Sequence, residues 1–220
     1  MNLSQRDKPP PQGGVVSPML SVIYMNRSLK HWRLTGRGEA FRAHVVNYAD
    51  DFVILSRGHA EEALAWTAAV MTKLGLTLNE TKTSVKNARK ESFDFLGYTL
   101  GPRWFPKTGG RYLGAAPSKK SVQRIKTKVG DLLSPGEKGA WPKVAERLNR
   151  LLGGWSAYFS HGSVAAAYNA VNNHVEDRVR NFLRRRHKTP GRGTRCFSGD
   201  RIFGELGVLR LQRGRGVSPT

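Results

Sequence analysis

The stretch Asn47-Tyr48-Ala49-Asp50-Asp51-Phe52-Val53-Ile54-Leu55 decides how the rest of this chain is read. With His44-Val45-Val46 ahead of it, it gives two β-prone runs flanking Ala49-Asp50-Asp51, which predicts a hairpin with acidic residues at its tip. Neighbouring strand residues point to opposite faces, whereas a tight turn can hold a carboxylate outward into a cleft. Two hard carboxylates near one point suit Mg²⁺. Taken alone, the Asp-Asp pair is better read as a solvated turn, which is common in hairpins.

The charge balance points to a partner. The 220 residues carry 37 Lys+Arg against 16 Asp+Glu, a net charge of +21. Such an excess costs self-repulsion in the folded state and points to a polyanionic partner. Nucleic acid fits best, because each neutralised phosphate releases counterions; an anionic membrane surface or a ribosomal location is the alternative. Beside nucleic acid, metal-binding carboxylates suggest phosphoryl transfer, with two ions roughly 3.5–4 Å apart flanking an in-line displacement. The single Cys196 excludes an internal disulfide framework and a Cys-rich zinc module, in keeping with a reducing cytosol. No apolar run approaches the roughly 18 residues of a membrane span, and Met1 to Pro11 is polar and Pro-rich, unlike a secretion signal. A soluble, cytoplasmic protein with no membrane partner is expected.

Outward from the hairpin, the periodicities define an α+β half and a helical half. Pro9-Pro10-Pro11 and Gly13-Gly14 open the chain irregularly, and Ser17-Pro18 starts a helix to about Lys30. Residues 59–74 form a helix, with Ala63, Trp66, Val70 and Leu74 on one face and Gly75 as its stop. Leu76-Thr77-Leu78 and Ser92 to Leu100 read as further β segments. After Ala116-Pro117, Val122, Ile125, Val129 and Leu132 mark a helix capped by Ser118 and closed by Ser134-Pro135-Gly136. A second helix runs through Val144, Leu148, Leu152, Trp155 and Tyr158, and a third from Ser163 to about Arg186. The helical phase places Trp155 and Tyr158 in the core, and Cys196 reads as a small, semi-buried residue. The domains are expected at 1–115, 116–188 and a basic Gly/Arg-rich tail at 189–220.

The acidic string resembles the palm hairpin of reverse transcriptases, and other motifs follow in that family's order. Pro11-Gln12-Gly13-Gly14-Val15-Val16-Ser17-Pro18 resembles the motif before it, and Leu74 to Thr83 the motif after it. Phe93-Asp94-Phe95-Leu96-Gly97-Tyr98 is similar to the primer-grip hairpin. Gly154-Trp155-Ser156-Ala157-Tyr158-Phe159, in a helical segment starting Pro117-Ser118-Lys119-Lys120, resembles the thumb/maturase domain of group II intron proteins. The resemblance implies a partial polymerase palm, an antiparallel sheet with helices, followed by a small three-helix thumb/maturase domain. It also implies residue roles. Asp50 is the Mg²⁺ ligand, with Asp51 beside it and Ala49 and Tyr48 near the primer end. Gln12 and Gly13 shape the nucleotide site. Lys82 serves the departing pyrophosphate, and Phe95, Leu96, Gly97 and Tyr98 position the primer.

A two-metal Mg²⁺ site of this kind needs a further aspartate from an earlier strand. Before Asp50 the acids are Glu39 and Asp7, the latter in the Pro-rich lead. The site is therefore expected to be incomplete, with RNA/DNA duplex and dNTP bound only if an upstream segment or a complementing polypeptide completes it. Basic residues crowd the helices: Lys119, Lys120, Arg124 and Lys128 on the first, Arg178, Arg184, Arg185, Arg186 and Lys188 toward the end of the third. Cations near a helix C-terminus explain a few of these; a surface for structured, group II intron-like RNA explains the run. Two functions remain: RNA-directed DNA polymerase of group II intron type with maturase RNA binding, inactive as this chain alone, or a non-catalytic maturase module that assists splicing.

Overall fold

The computed structural model describes residues 17–105 and 108–213. It is α+β, with helices and antiparallel sheets, and it divides into compact units at residues 1–85 and 86–220.

The first unit is a hairpin packed on helices. Helix α1 (Ser17–Leu34) leads through Gly36, at φ 62°, into the short α2 (Arg37–Ala40). Strands β1 (Ala43–Tyr48) and β2 (Asp51–Ser56) then pair antiparallel, from Ala43↔Ser56 to Tyr48↔Asp51. Helix α3 (Ala60–Lys73) follows and stops at Gly75, whose φ of 74° favours glycine. Alternation decides which hairpin face is covered. Ala43, Val45 and Ile54 lie against Trp32, Phe41, Ala63 and Trp66. On the opposite face Val46, Tyr48 and Leu55 are exposed, as are Met19, Leu20, Val22 and Ile23 in the first turns of α1. The Arg37 guanidinium lies 5.6 Å from the ring centroids of both Phe41 and Trp66 and so closes the core through cation–π contacts.

The second unit joins a sheet to three helices. Strands β3 (Phe93–Phe95), β4 (Tyr98–Trp104) and β5 (Arg111–Pro117) form one antiparallel sheet in chain order. Helices α4 (Lys119–Leu132), α5 (Trp141–Tyr158) and α6 (Ala165–Arg186) enclose the largest core, in which Val129, Leu133, Leu148, Leu152, Val171, Val175 and Val179 are completely buried. Ser118 caps α4 as expected, its Oγ accepting the Ser121 N–H at 3.2 Å. The expected boundary at 115–116 falls inside β5, shortly before the change from strand to helix, and the compact units divide after Val85, so the sheet lies with the helices. Residues 76–78 are not a strand, and β5 is an additional one.

The segment after α6 completes the helical core. Phe197, Ile202, Val208 and Leu211 are buried against it, and Arg201–Glu205 form a short π-type turn. Two asparagine amides hold the extended end as a neighbouring strand would. Asn149 on α5 donates to the Gly207 carbonyl and accepts from the Leu209 N–H, both at 2.7 Å. The buried Asn172 on α6 donates to and accepts from the backbone of Leu211, both at 2.9 Å. Trp141 Nε1 adds a bond to the Leu206 carbonyl at 3.1 Å. Cys196, expected to be semi-buried, is exposed.

Removing one amide tests this closure. Asn172→Ala leaves the Leu211 N–H and carbonyl without a partner, and a buried unpaired group costs about 1–3 kcal/mol. Urea unfolding of Asn172→Ala should show that loss, with the exposed neighbour variant Asn173→Ala unchanged.

Candidate catalytic turn and nucleic-acid interface

The register closes β1–β2 with Ala49 and Asp50 as the two turn residues. Ala49 has φ 53°. A two-residue hairpin needs positive φ at its first turn position, and an alanine there costs of order 1–3 kcal/mol. The backbone is thus bent sharply under the acidic pair. Asp50 and Asp51 are both exposed, and neither makes a hydrogen bond or ion pair with a described side chain. Tyr48, beside them, is 65% exposed. These are free hard-oxygen donors, and Mg²⁺ is commonly held by one or two carboxylates with water and substrate phosphate filling the remaining positions. Among the described residues no group of three or more His, Cys, Asp or Glu could hold a metal ion. The pair fits part of a Mg²⁺ site, not a closed cage.

Lys82 lies in the irregular segment after α3. Its backbone N–H bonds to Asn79, and its side chain is exposed. Gln12 and Gly13 lie outside the described residues.

The second expected site is the β3–β4 turn. Leu96 and Gly97 take φ 48° and 77°, the pair of positive φ values that defines a type I′ hairpin. Helix ends grip this turn from two sides. The Gly97 carbonyl accepts from the Ser118 N–H at 2.8 Å and from Ser121 Oγ at 2.9 Å. Tyr98 Oη donates to the Tyr158 carbonyl at 2.8 Å, and Tyr158 Oη donates back to the Leu96 carbonyl at 2.9 Å. Tyr158 is therefore not a core residue: its ring is 55% exposed and its hydroxyl fixes the turn. Trp155 does pack against the core, as its phase predicts. Phe95, Leu96, Gly97 and Tyr98 are half-buried and held on the start of α4 and the end of α5. The sequence shows Tyr158 only as an apolar-phase residue, and nothing in it signals the reciprocal bond sixty residues away.

The basic residues of the helical unit fall into two groups. Arg178 donates to the Gly130 carbonyl at 3.1 Å in the last turn of α4, where a cation offsets the helix dipole. Arg184 donates to Gly191 at 2.8 Å, and Arg186 to Gly139 at 2.6 Å. Arg180 is tied to Glu176, Asp177 and the Phe197 carbonyl. These arginines brace the fold. Lys119, Lys120, Arg124, Lys128, Arg185 and Lys188 are exposed, and none of their side chains makes a hydrogen bond or ion pair with a described residue. Lys120, Arg124 and Lys128 repeat every four residues along α4 and so share one row. Like charges so placed repel, a cost that an anionic ligand would remove. Behind the row, His174 Nε2 lies 3.0 Å from the Lys126 carbonyl. Burial pushes its pKa down, and the nearby Lys126 and Arg178 charges add to that against the opposing backbone hydrogen bond and Asp177.

The described residues thus present a hairpin bearing an acidic pair, a second turn docked on a helical unit, and a basic row whose side chains bond to no described residue. Residues 6–100 match the family model for reverse transcriptase (RNA-dependent DNA polymerase), and residues 122–197 that for the group II intron maturase-specific domain. The chain belongs to the group II intron reverse transcriptase/maturase family. No curated protein matches it. The maturase match ends at residue 197, whereas the buried segment of that unit continues to Leu211.

Two measurements test these assignments. A Cβ on Gly97 would lie 2.9 Å from Ser121 Oγ and 3.1 Å from the Phe159 ring, at a backbone angle that alanine resists. Gly97→Ala should cost about 1–3 kcal/mol in thermal or urea unfolding, while Gly109→Ala, also at positive φ but in open space, should cost less. The depressed His174 pKa gives a stability term that is full above the unfolded histidine value of about 6.5 and is lost as pH falls from there through the folded value. The melting temperature should drop between pH 7.5 and pH 5.5, and His174→Gln should flatten that drop.

Proposed function

We propose that this 220-residue chain by itself holds structured, intron-like RNA in its working conformation and does not synthesise DNA. The observation that carries the proposal is the exposed, unpaired row Lys120, Arg124 and Lys128 on α4, with Lys119, Arg185 and Lys188 as further free cations. Such a row contacts phosphates and reads the shape of an RNA more than its bases. On the catalytic side, Asp50 would be the principal Mg²⁺ ligand and Asp51 its support. When bound, the ion would polarise the reacting phosphate. Tyr48 and Ala49 would border the primer end, and Phe95 to Tyr98 would steady the primer. Lys82 would face the leaving pyrophosphate. No helix among the described residues is long and apolar enough to cross a membrane, and we place the protein with its RNA in the cytoplasm.

A second reading, polymerisation with a complementing palm segment, is favoured by the free Asp50–Asp51 pair and the uncovered outer face of β1–β2. In it, RNA/DNA duplex and dNTP bind only when another segment or polypeptide contributes the further carboxylate.

Binding of a folded intron-domain RNA, measured across 50–300 mM salt, separates the two activities. The triple variant Lys120→Ala/Arg124→Ala/Lys128→Ala should weaken binding and reduce the salt slope by roughly 2–3, close to one unit per lost phosphate contact. Asp50→Ala should leave affinity nearly unchanged. Primer extension with Mg²⁺ should give no product with the chain alone; product that disappears in Asp50→Ala would overturn the proposal.

A further inference from the structure

The three-stranded sheet carries an unexplained aromatic surface at the end away from the Leu96–Gly97 turn. Trp104 and Arg111 are cross-strand partners on β4 and β5, and the Arg111 guanidinium carbon lies 4.4 Å from the indole centroid. Trp104 is 57% exposed, and so is Leu113, which shares the face of Arg111 by alternation. Neither residue belongs to the helical core. On the opposite face of this strand end Tyr112 is anchored, its Oη bonded to Ser163 Oγ at 2.8 Å, with the exposed Phe105 ring tilted against it at 4.3 Å. The seven-residue β4 spans about 20 Å, which sets Trp104 well apart from the Phe95–Tyr98 turn at its other end.

Charge indicates what this surface receives. Residues 95–118, which hold β4, β5 and their connection, contain Arg103, Lys107 and Arg111 and no Asp or Glu. A nucleotide supplies a π-face and a phosphate together, so it complements both the indole and the guanidinium. Stacking on one exposed ring tolerates any base but requires that the base be unpaired. Arg111 over the indole also restrains the ring, lowering the ordering cost of binding. We infer that Trp104, with Arg111 and Leu113 beside it, is a stacking platform for an unpaired base of single-stranded RNA. The inference rests on the RNA-holding reading above and adds a contact distinct from the phosphate row on α4.

The full chain, a fluorescent decauridylate and a blunt-ended RNA hairpin provide the test, with binding followed by anisotropy. Trp104→Ala should weaken decauridylate binding roughly 5- to 150-fold, the range expected for loss of one stacked base. Hairpin affinity and its salt slope should stay within twofold of wild type. Trp104→Tyr should bind decauridylate within a few-fold of wild type, because any aromatic face can stack. Unchanged melting temperatures in both variants are expected from the exposure of Trp104. If wild type binds both RNAs with a salt slope but Trp104→Ala holds decauridylate as well as wild type, the platform is wrong and the RNA-holding role stands. A Tyr variant as weak as the Ala variant also counts against stacking. Failure of wild type to bind either RNA overturns both.

Discussion

The carbonyl of Gly97 is the joint on which the second unit depends. It accepts one bond from the backbone at the start of α4 and one from Ser121 within that helix. The type I′ turn presents this carbonyl outward, and the absence of a Cβ at Gly97 lets Ser121 and Phe159 close over it. The Tyr98–Tyr158 exchange repeats the attachment on α5. Sheet and helices are therefore one body, and a load on the turn is carried directly by the helical core. Any group carried on this turn is held precisely, because precision comes from the elements behind a contact.

The large positive charge divides into cations bonded within the protein and cations whose side chains bond to no described residue. Arg178, Arg180, Arg184 and Arg186 spend their guanidinium groups on carbonyls or carboxylates of their own unit. The row on α4 has no such partners. The distinction is one of position rather than residue type, since Arg124 and Arg185 stand among the free cations while other arginines reach a carbonyl or carboxylate of their own unit. Charge counting cannot make this division; it needs the contacts.

Much of the architecture was legible in the chain. The helices followed from their apolar period, Ser118 and Gly75 from capping chemistry, and the acidic hairpin from two β-branched runs around a short turn. The misreadings have local causes. Leu76-Thr77-Leu78 has β-type residues but no strand to pair with, and propensity without a ladder forms nothing. Strand β5 contains Gly114, Ala115, Ala116 and Pro117, poor strand formers that are held by register with β4. Tyr158 satisfies the helical phase, yet it sits at the last turn of α5, where the core has ended and a turn begins. The family-level character of the acidic turn was legible, whereas the freedom of its carboxylates from ion pairs with the described residues emerges only in three dimensions.

The asparagine clamps on residues 207–211 have a consequence for how the molecule is made. Val208 and Leu211 fill core positions between α5 and α6, so those helices cannot seal their apolar faces until this stretch has left the ribosome. Chains emerge at about 5–20 residues per second, which leaves a nascent intermediate with its groove open for a second or more after Arg186 appears. In that interval the free amides of Asn149 and Asn172 offer strand-like pairing to any extended peptide. The native segment prevails because it is tethered nearby, at an effective concentration that an untethered competitor does not reach.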